Sequence, residues 1–161
     1  MKEKREQEMI LVLDNIRSAE NVGSLFRTAD AAGVKEVYLC GVTPDPIDRF
    51  GRIVAKIAKA ALGAEKNISW KHFSSTRTCI NNLKKKGFEI VALEQAKNAI
   101  AFTRYKPKGK LALILGNEVD GITEPLLSLA DVVIEIPMRG EKESLNVSVA
   151  GGIALFEILK D

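Results

Sequence analysis

The sequence has few of the residues that build redox centres and metal sites. It contains two cysteines, Cys40 and Cys79, and one histidine, His72, in 161 residues. The cysteines lie far apart and form no CxxC pair, which predicts reduced thiols, no disulfide framework and no metal site. Reduced thiols favour a cytoplasmic protein. His72 has no evident acid–base or metal partner in the sequence, so we interpret it as structural.

Long apolar runs are also missing. No apolar stretch reaches the roughly 18 residues that a membrane span needs. The N-terminal MKEKREQEMI carries charges of both signs in place of the apolar core of a signal peptide. There is no internal repeat and no low-complexity linker. We therefore expect no membrane segment and a single domain over residues 1–161.

The overall composition is that of an ordinary globular protein, with 46% hydrophobic and 28% charged residues. The formal net charge is +3 and the isoelectric point about 8.8. This mildly basic balance permits a nucleic-acid partner without implying one.

Strand-like and helix-like segments alternate along the chain. We predict strands at 9–15, 36–41, 68–73, 88–94, 111–116 and 131–137, and helices at 21–33, 49–63, 74–87, 124–130 and 144–160. Several of the strands are apolar throughout, as expected when helices cover both faces of a sheet. The pattern predicts an α/β fold with a largely parallel sheet.

Ligands of such folds bind beyond the carboxyl ends of the strands, and the first candidate segment there is DNIRSAENVGSLFRTADAAGV. Asn21 lies near the predicted helix start, and Arg27 follows about 9 Å further along the axis. Arg27 points away from the apolar face of the helix. This pattern fits a site, but it also fits a capping Asn21 and a solvated Arg27.

Two further segments follow apolar strands. In LILGNEVDGI, Gly116 and Gly121 bracket Glu118 and allow a tight turn with close backbone approach to a ligand. The segment is neither a GxGxxG fingerprint nor a P-loop, and a plain turn is the alternative. In IEIPMRGEKESLN, Ser144 and Asn146 stand before an apolar helix. A capping role explains Ser144 well, but it explains Asn146 less well because asparagine is unfavourable inside a helix.

A set of basic residues is spaced by three, four and three positions and would form one face of the predicted helix 49–63; it comprises Arg49, Arg52, Lys56 and Lys59. Such a face could contact the phosphates of a nucleic acid. The alternative is an ordinary solvated face.

The last helix is apolar at nearly every angle from Leu145 to Leu159. A helix of this kind must be buried on more than one side, and one domain of this size offers only its own sheet. We therefore expect a two-fold homodimer through this helix. The small residues Ala150, Gly151, Gly152 and Ala154 would let a second backbone come close.

Together, the three segments resemble the motifs of the SpoU/TrmH family of RNA 2′-O-ribose methyltransferases, in the SPOUT superfamily. NVGSLFRTADAAGV is similar to the first motif, LILGNEVDGI to the second and IPMRGEKESLNVSVAGGIALFE to the third. The resemblance implies a Rossmann-like α/β domain with a C-terminal deep trefoil knot, a homodimer, S-adenosylmethionine as cofactor and a tRNA or rRNA substrate.

The resemblance also implies site residues. The cofactor-binding positions would be Leu93, Glu94, Gly116, Asn117, Gly121, Ile136, Met138, Ser144, Leu145 and Asn146. The catalytic positions would be Arg27, Asn21, Glu118, Ser144 and Asn146. The resemblance implies that Arg27 activates the 2′-hydroxyl. It would do so either as a general base or, because arginine keeps its proton at physiological pH, as a cation that anchors the adjacent phosphate and stabilises alkoxide charge. Glu118 would orient Arg27.

One departure concerns RNA recognition. Many family members carry an extra RNA-binding domain or longer termini, whereas here the first motif begins near the N-terminus and the third ends near residue 161. We therefore expect a near-minimal catalytic domain without a separate RNA-binding domain. The alternatives are a non-catalytic RNA-binding or assembly protein on the same scaffold and a nucleotide-dependent oxidoreductase. The latter lacks its glycine fingerprint after MILVLD.

Overall fold

The computed structural model describes residues 7–160. The predicted absence of a signal peptide rests mainly on residues before Gln7 and, like the outer bounds of the predicted domain, lies outside the described residues.

Seven strands and six helices follow one another in the described chain. The strands are β1 (Met9–Asp14), β2 (Glu36–Cys40), β3 (Ser69–Phe73), β4 (Glu89–Leu93), β5 (Ile100–Ala101), β6 (Leu111–Leu115) and β7 (Val132–Glu135). The helices are α1 (Ala19–Ala32), α2 (Ala55–Ala61), α3 (Ala64–Asn67), α4 (Thr76–Lys85), α5 (Glu124–Leu127) and α6 (Val147–Ile158). A 3-10 turn spans Phe102–Arg104.

The strands form one sheet in the order β3-β2-β1-β6-β4-β7-β5. Every pairing among these strands is parallel. All residues of the central strands β1 and β6 are buried, which explains why these segments read as continuous apolar runs. The predicted α/β fold with a parallel sheet is confirmed.

Helices cover both faces of this sheet. Leu11, Leu13 and Leu113 face a core that includes Phe26 of α1, Ile57 of α2 and Leu155 of α6. Their neighbours Ile10, Val12 and Ile114 face a second core with Ile80 and Leu83 of α4. The alternation follows from the two-residue period of a strand. Because all strand pairings are parallel, the carboxyl ends of the strands meet at one edge of the sheet. The candidate segments lie at this edge.

The predicted helix 49–63 is wrong in its first half. The helix α2 begins only at Ala55, and residues before it form a turn closed by an antiparallel bridge between Ile47 and Ile53. Gly51 has a φ of 76°, outside the right-handed helical region. The carboxylate of Asp48 instead accepts hydrogen bonds from the backbone amides of Phe50 (2.8 Å) and Arg52 (2.9 Å). The basic residues 49, 52, 56 and 59 therefore do not share one helix face.

The N-terminal ends of two helices also differ from prediction. Helix α6 begins at Val147 with Asn146 as its N-cap, whose side chain accepts a hydrogen bond from the Ser148 amide. Asn146, for which capping was the weaker explanation, is the cap, and Ser144 precedes the helix. In α1 the cap is Ser18, whose Oγ accepts from the Asn21 amide at 3.2 Å, so Asn21 lies inside the first turn.

Smaller differences concern short elements. Helix α3, strand β5 and the 3-10 turn were not predicted, because segments of two to four residues carry too little periodicity to be recognised. His72 does have a partner, contrary to prediction: its Nδ1 lies 2.5 Å from the Asp45 carboxylate. The pair ties β3 to the loop after β2, which fits a structural role.

Cys40 and Cys79 are both free and buried. A hydrogen bond with Cys40 and burial raise the pKa of the Cys79 thiol, which keeps it protonated at neutral pH. Over residues 7–160, no helix combines the length and the hydropathy that a membrane crossing requires.

A glycine contact holds α1 against α2 and gives a first prediction. A Cβ at Gly23 would lie 2.5 Å from the Ile57 carbonyl oxygen and 2.7 Å from the Ala60 Cβ, so Gly23→Ala must push the helices apart. We expect it to lower the free energy of unfolding by about 1–3 kcal/mol, measured by urea denaturation. The matched control is Gly152→Ala, where the nearest atom, the Thr28 Cγ2, lies 3.4 Å away. Equal stability of the two variants would contradict this packing.

Candidate cofactor and catalytic site

A cavity of about 500 Å³ lies where the carboxyl ends of β4, β6 and β7 meet the N-terminus of α6. All ten residues predicted to bind a cofactor line it: Leu93, Glu94, Gly116, Asn117, Gly121, Ile136, Met138, Ser144, Leu145 and Asn146. Seven of the eight other lining residues were not among the predicted site residues; they are Gln95, Leu115, Val119, Asp120, Glu135, Val147 and Ala150. Each lies within a few positions of a predicted residue. The signal for them is their place at or beside the carboxyl end of a strand or the start of α6.

Asn117 shapes the loop after β6. Its side-chain oxygen accepts hydrogen bonds from the backbone amides of Val119 (2.8 Å) and Asp120 (3.1 Å), and its Nδ2 donates to the Asn15 carbonyl at 2.6 Å. Asn117 is buried. Because both ends of the side chain are engaged within the protein, Asn117 presents only its backbone to a ligand.

Glu94 closes the same loop from the end of β4. Its carboxylate accepts hydrogen bonds from the backbone amides of Gln95 (3.1 Å) and Ile122 (2.9 Å). Gly121 has a φ of 66°, and a Cβ there would lie 2.4 Å from the Glu94 Oε2. A glycine is therefore required at position 121 for both its backbone conformation and its contact with Glu94.

Three predicted catalytic side chains form a continuous hydrogen-bonded chain. The Asn21 Nδ2 donates to the Glu118 Oε1 at 3.2 Å, and the Asn146 Nδ2 donates to the Asn21 Oδ1 at 3.3 Å. These contacts join positions about a hundred residues apart in sequence: the loop after β6, the first turn of α1 and the cap of α6. The structure thus brings Asn21, Glu118 and Asn146 together at the rim of the cavity.

Glu118 is further held by the backbone amides of Arg17 (3.3 Å) and Ser18 (3.4 Å) at the start of α1. Burial raises the pKa of its carboxyl. The hydrogen bonds from its own backbone, from Asn21 and from these amides outweigh burial and lower the pKa below its ordinary value. The carboxylate is therefore charged at neutral pH and compensates the positive end of the α1 dipole.

Asn15 is a connecting residue that was not among the predicted site residues. It has a φ of 52°, and its Oδ1 accepts a hydrogen bond from the Val42 amide at 3.0 Å. Since its carbonyl also accepts from Asn117, Asn15 joins the loop after β2 to the loop after β6. The signal was available as an asparagine directly after a buried strand, a position where a left-handed backbone is common.

Arg27 stands apart from these groups. It is exposed on α1, does not line the cavity and, within residues 7–160, makes no hydrogen bond or ion pair. Within one chain Glu118 does not contact Arg27, because its carboxylate accepts hydrogen bonds from Asn21 and from the start of α1; an orienting role of Glu118 for Arg27 stays a prediction. Arg27 lies six residues beyond Asn21, which puts it on a different face of the helix.

The four predicted RNA-binding residues lie outside the cavity as well, and all are exposed; they are Arg49, Arg52, Lys56 and Lys59. No group of three or more His, Cys, Asp or Glu side chains in the described chain is arranged to hold a metal ion.

The cavity lining combines two kinds of surface. Apolar walls come from Leu93, Leu115 and Ile136, and carboxylates come from Glu94, Glu118, Asp120 and Glu135. Its volume lies within the range of about 300–1,000 Å³ that small-molecule sites occupy. Such a site suits a ligand with a flat apolar part and a positive charge.

Fold and cavity thus define a parallel α/β protein with a ligand site at the carboxyl edge of its sheet. The sequence model of the SpoU rRNA Methylase family matches residues 8–156, and the chain belongs to this family. The resemblance drawn from the three motifs is confirmed.

Individual relatives agree with this assignment. The 23S rRNA (guanosine-2′-O-)-methyltransferase RlmB of Xanthomonas axonopodis pv. citri (strain 306) is 33% identical over 152 residues, covering 94% of this chain and 58% of that protein. The crystal structure of an AdoMet-bound rRNA methyltransferase from Sinorhizobium meliloti has a TM-score of 0.84 and 30% identity, and covers 93% of this chain and 55% of that one. The chain therefore spans little more than half the length of these relatives.

A third relative is closer in length. A structure described as giving insights into the 2-OH methylation of C/U34 on tRNA has a TM-score of 0.77 and 25% identity. The match covers 94% of this chain and 93% of that chain.

The lowered pKa of Glu118 gives a pH-dependent prediction. A depressed folded-state pKa stabilises the protein above the unfolded value of about 4.3, and this contribution disappears as the pH falls through the folded pKa. We expect Glu118→Gln to melt below the wild type at pH 7 and the gap to narrow below about pH 4. Thermal melts from pH 3 to 7 measure this difference in melting temperature. Glu141→Gln, at an exposed residue of the loop after β7, is the control; a gap independent of pH would refute the assignment.

Proposed function

We propose that this protein is an S-adenosylmethionine-dependent methyltransferase that modifies a ribose 2′-hydroxyl in a tRNA or an rRNA. The observation that carries the proposal is the cavity lined by residues of the second and third motifs, with Asn21 of the first motif hydrogen-bonded to Glu118 and Asn146 at its rim. Family membership and the names of the relatives support the same activity.

The cavity fits S-adenosylmethionine in shape and charge. The backbone of the loop 116–121 and the apolar side chains of Ile136 and Leu145 would hold the adenine and ribose. Glu118 and Asp120 would face the positive part of the ligand, where a charged carboxylate is favourable. The AdoMet-bound relative from Sinorhizobium meliloti supports this cofactor. The bound cofactor supplies an electrophilic methyl group on a sulfonium.

In the reaction, the ribose 2′-oxygen forms a bond to the methyl carbon while the carbon–sulfur bond breaks, and the sulfur keeps the bonding electron pair. The hydroxyl proton leaves to solvent or to an adjacent phosphate. Asn146 and Asn21, fixed by their mutual hydrogen bond, would position the ribose, and Ser144 beside them would add a hydroxyl contact. Positioning of this kind can supply several kcal/mol of barrier reduction.

Arg27 is assigned to the phosphate next to the acceptor ribose, as a permanent cation that stabilises the developing alkoxide. Its position outside the cavity of its own chain favours action across a dimer interface. Val149, Ile153 and Phe156 form an apolar stripe on the outer face of α6, with exposures of 50%, 39% and 55%. Because α1 packs beside α6, a two-fold contact on this stripe would carry the exposed Arg27 towards the partner's cavity.

Three further properties belong to the proposal. The chain path after β7, which returns from beyond β4 to pack α6 on α1, supports a C-terminal trefoil knot of the kind the resemblance implies. Two buried free thiols support a reducing, cytoplasmic compartment. The single sheet supports one catalytic unit over residues 7–160.

Arg27→Ala tests the catalytic assignment. We expect methyl transfer into RNA to fall by about 100-fold or more, as for the loss of one transition-state contact. Binding of S-adenosylmethionine, measured by calorimetry, should not change because Arg27 is assigned to the RNA phosphate and not to the cofactor. Transfer is measured with labelled cofactor and RNA from cells lacking the protein, and Arg77→Ala on α4 is the control. Unchanged transfer would remove Arg27 from the mechanism, and no cofactor binding by the wild type would favour a non-catalytic RNA-binding protein.

Mixed dimers test the interface. We expect Phe156→Asp to yield monomers in light scattering, because a buried charge would oppose association. We also expect mixed dimers of Arg27→Ala with Asn146→Ala chains to regain transfer, since one cavity then has both an intact Asn146 and a partner Arg27. Each variant alone should stay inactive. Mixed dimers without activity would show that Arg27 acts within its own chain, and a monomeric wild type would refute the dimer.

A further inference from the structure

The turn between Ile47 and Ile53 carries a combination of side chains that the proposed reaction does not use. Phe50 stands at its tip with 65% of its surface exposed. The guanidinium carbons of Arg49 and Arg52 lie over the Phe50 ring, 4.8 and 4.9 Å from its centroid. Ile47 and Ile53 at the base of the turn are exposed as well, at 44% and 61%, and an exposed apolar cluster bordered by charged groups is typical of a binding surface.

The turn is closed by hydrogen bonds among its own residues. Asp48 accepts hydrogen bonds from the amides of Phe50 and Arg52, and the Arg52 Nε donates to the Asp48 Oδ2 at 3.0 Å. The hydrogen bond from the Arg52 amide is the main cause that lowers the pKa of Asp48. The Asp48 carboxylate is therefore charged at neutral pH. The Ile47–Ile53 bridge closes the turn at its base. These contacts hold the backbone at Phe50 in place.

The two arginines differ in freedom. Arg52 is held by Asp48, whereas Arg49, in the described part of the chain, makes no hydrogen bond or ion pair and lies over the Phe50 ring. Arg52 and Phe50 therefore form a fixed stacking surface, and Arg49 can leave the ring for another anion. Unpaired RNA bases stack on aromatic rings and on guanidinium planes, while the flanking phosphate attracts a free cation.

The turn is connected to the catalytic edge. It belongs to the loop after β2, and β2 lies beside β1 in the sheet. Asn15 links this loop, through the Val42 amide, to Asn117 and the cavity loop. The exposed Lys56 and Lys59 of α2 follow the turn and extend the positive surface. An RNA strand entering the cavity would therefore meet this turn on the same side of the molecule.

We propose that Phe50 and Arg52 form a stacking platform for one unpaired RNA base near the modified nucleotide, and that Arg49 swings from Phe50 to the adjoining phosphate. The inference rests on the proposed function for its ligand class. It predicts an unpaired, base-exposed segment, such as a loop, as the recognised part of the substrate. It replaces the single helix face of basic residues that the sequence had suggested.

The test measures RNA affinity directly, with tRNA and rRNA fractions from cells lacking the protein. We expect Phe50→Ala to weaken binding by about 5- to 150-fold, the range for one lost base–aromatic stack. Phe50→Trp should bind at least as tightly as the wild type, and Phe50→Leu should remain weak. Leu62→Ala is the matched control, since Leu62 is an apolar residue with 67% exposure outside the turn. Arg49→Ala should reduce the salt slope of binding by about 0.7, the value for one phosphate on a single strand.

Several outcomes would overturn the platform: full RNA affinity in Phe50→Ala, recovery in Phe50→Leu, or no RNA binding by the wild type. A change of oligomeric state in Phe50→Ala, measured by light scattering, would assign the ring to a contact between protein chains instead. Calorimetry with S-adenosylmethionine separates this inference from the proposed function. A wild type that binds RNA through Phe50 but no cofactor would preserve the platform and refute the methyltransferase.

Discussion

The hydrogen bond from the Asn117 side chain to the Asn15 carbonyl, 2.6 Å long, is the contact on which the arrangement of the catalytic edge depends. It joins the ends of β1 and β6, the two strands at the centre of the sheet. The strands themselves are fixed by burial on both faces, but burial does not fix the loops beyond them. Asn117 transfers the rigidity of the sheet to the loop that carries Glu118, and Asn15 transfers it to the loop that carries Phe50. A buried polar group with all its partners satisfied is well suited to this, because any displacement leaves an unpaired group.

Polar side chains at the helix starts also combine two functions. Asn146 caps α6, Ser18 caps α1, and Glu118 accepts from the amides at the start of α1. Each of these would exist in some form for stability alone, since the first amides of a helix need acceptors. Linking Asn146 to Asn21 and Asn21 to Glu118 turns separate caps into one structure. Asn146 is therefore both the cap of α6 and a member of the hydrogen-bonded group at the rim of the cavity.

The sequence allowed the sheet, the main helices and the cavity lining to be predicted for identifiable reasons. Continuous apolar runs such as LALIL require burial on both faces, and glycines beside Glu118 mark a close turn. The turn at 47–53 was misread because the basic residues happened to follow helical spacing, while Asp48 and Gly51 favoured a turn. The partners of Glu118 could not be predicted, since they are about a hundred residues away and depend on how α1 meets β6. Position along one helix likewise could not reveal that Arg27 lies outside its own cavity.

The strand order has a consequence for how the chain reaches its native state. Strand β1 is made first, but one of its two neighbours is β6, which begins a hundred residues later at Leu111. During synthesis, β1 can pair with β2 while its other edge stays open until β6 emerges from the ribosome. Parallel sheets with such distant pairings fold slowly, and open apolar edges are prone to aggregate. The central strands that make the finished protein rigid are thus the ones that most need protection while it is being made.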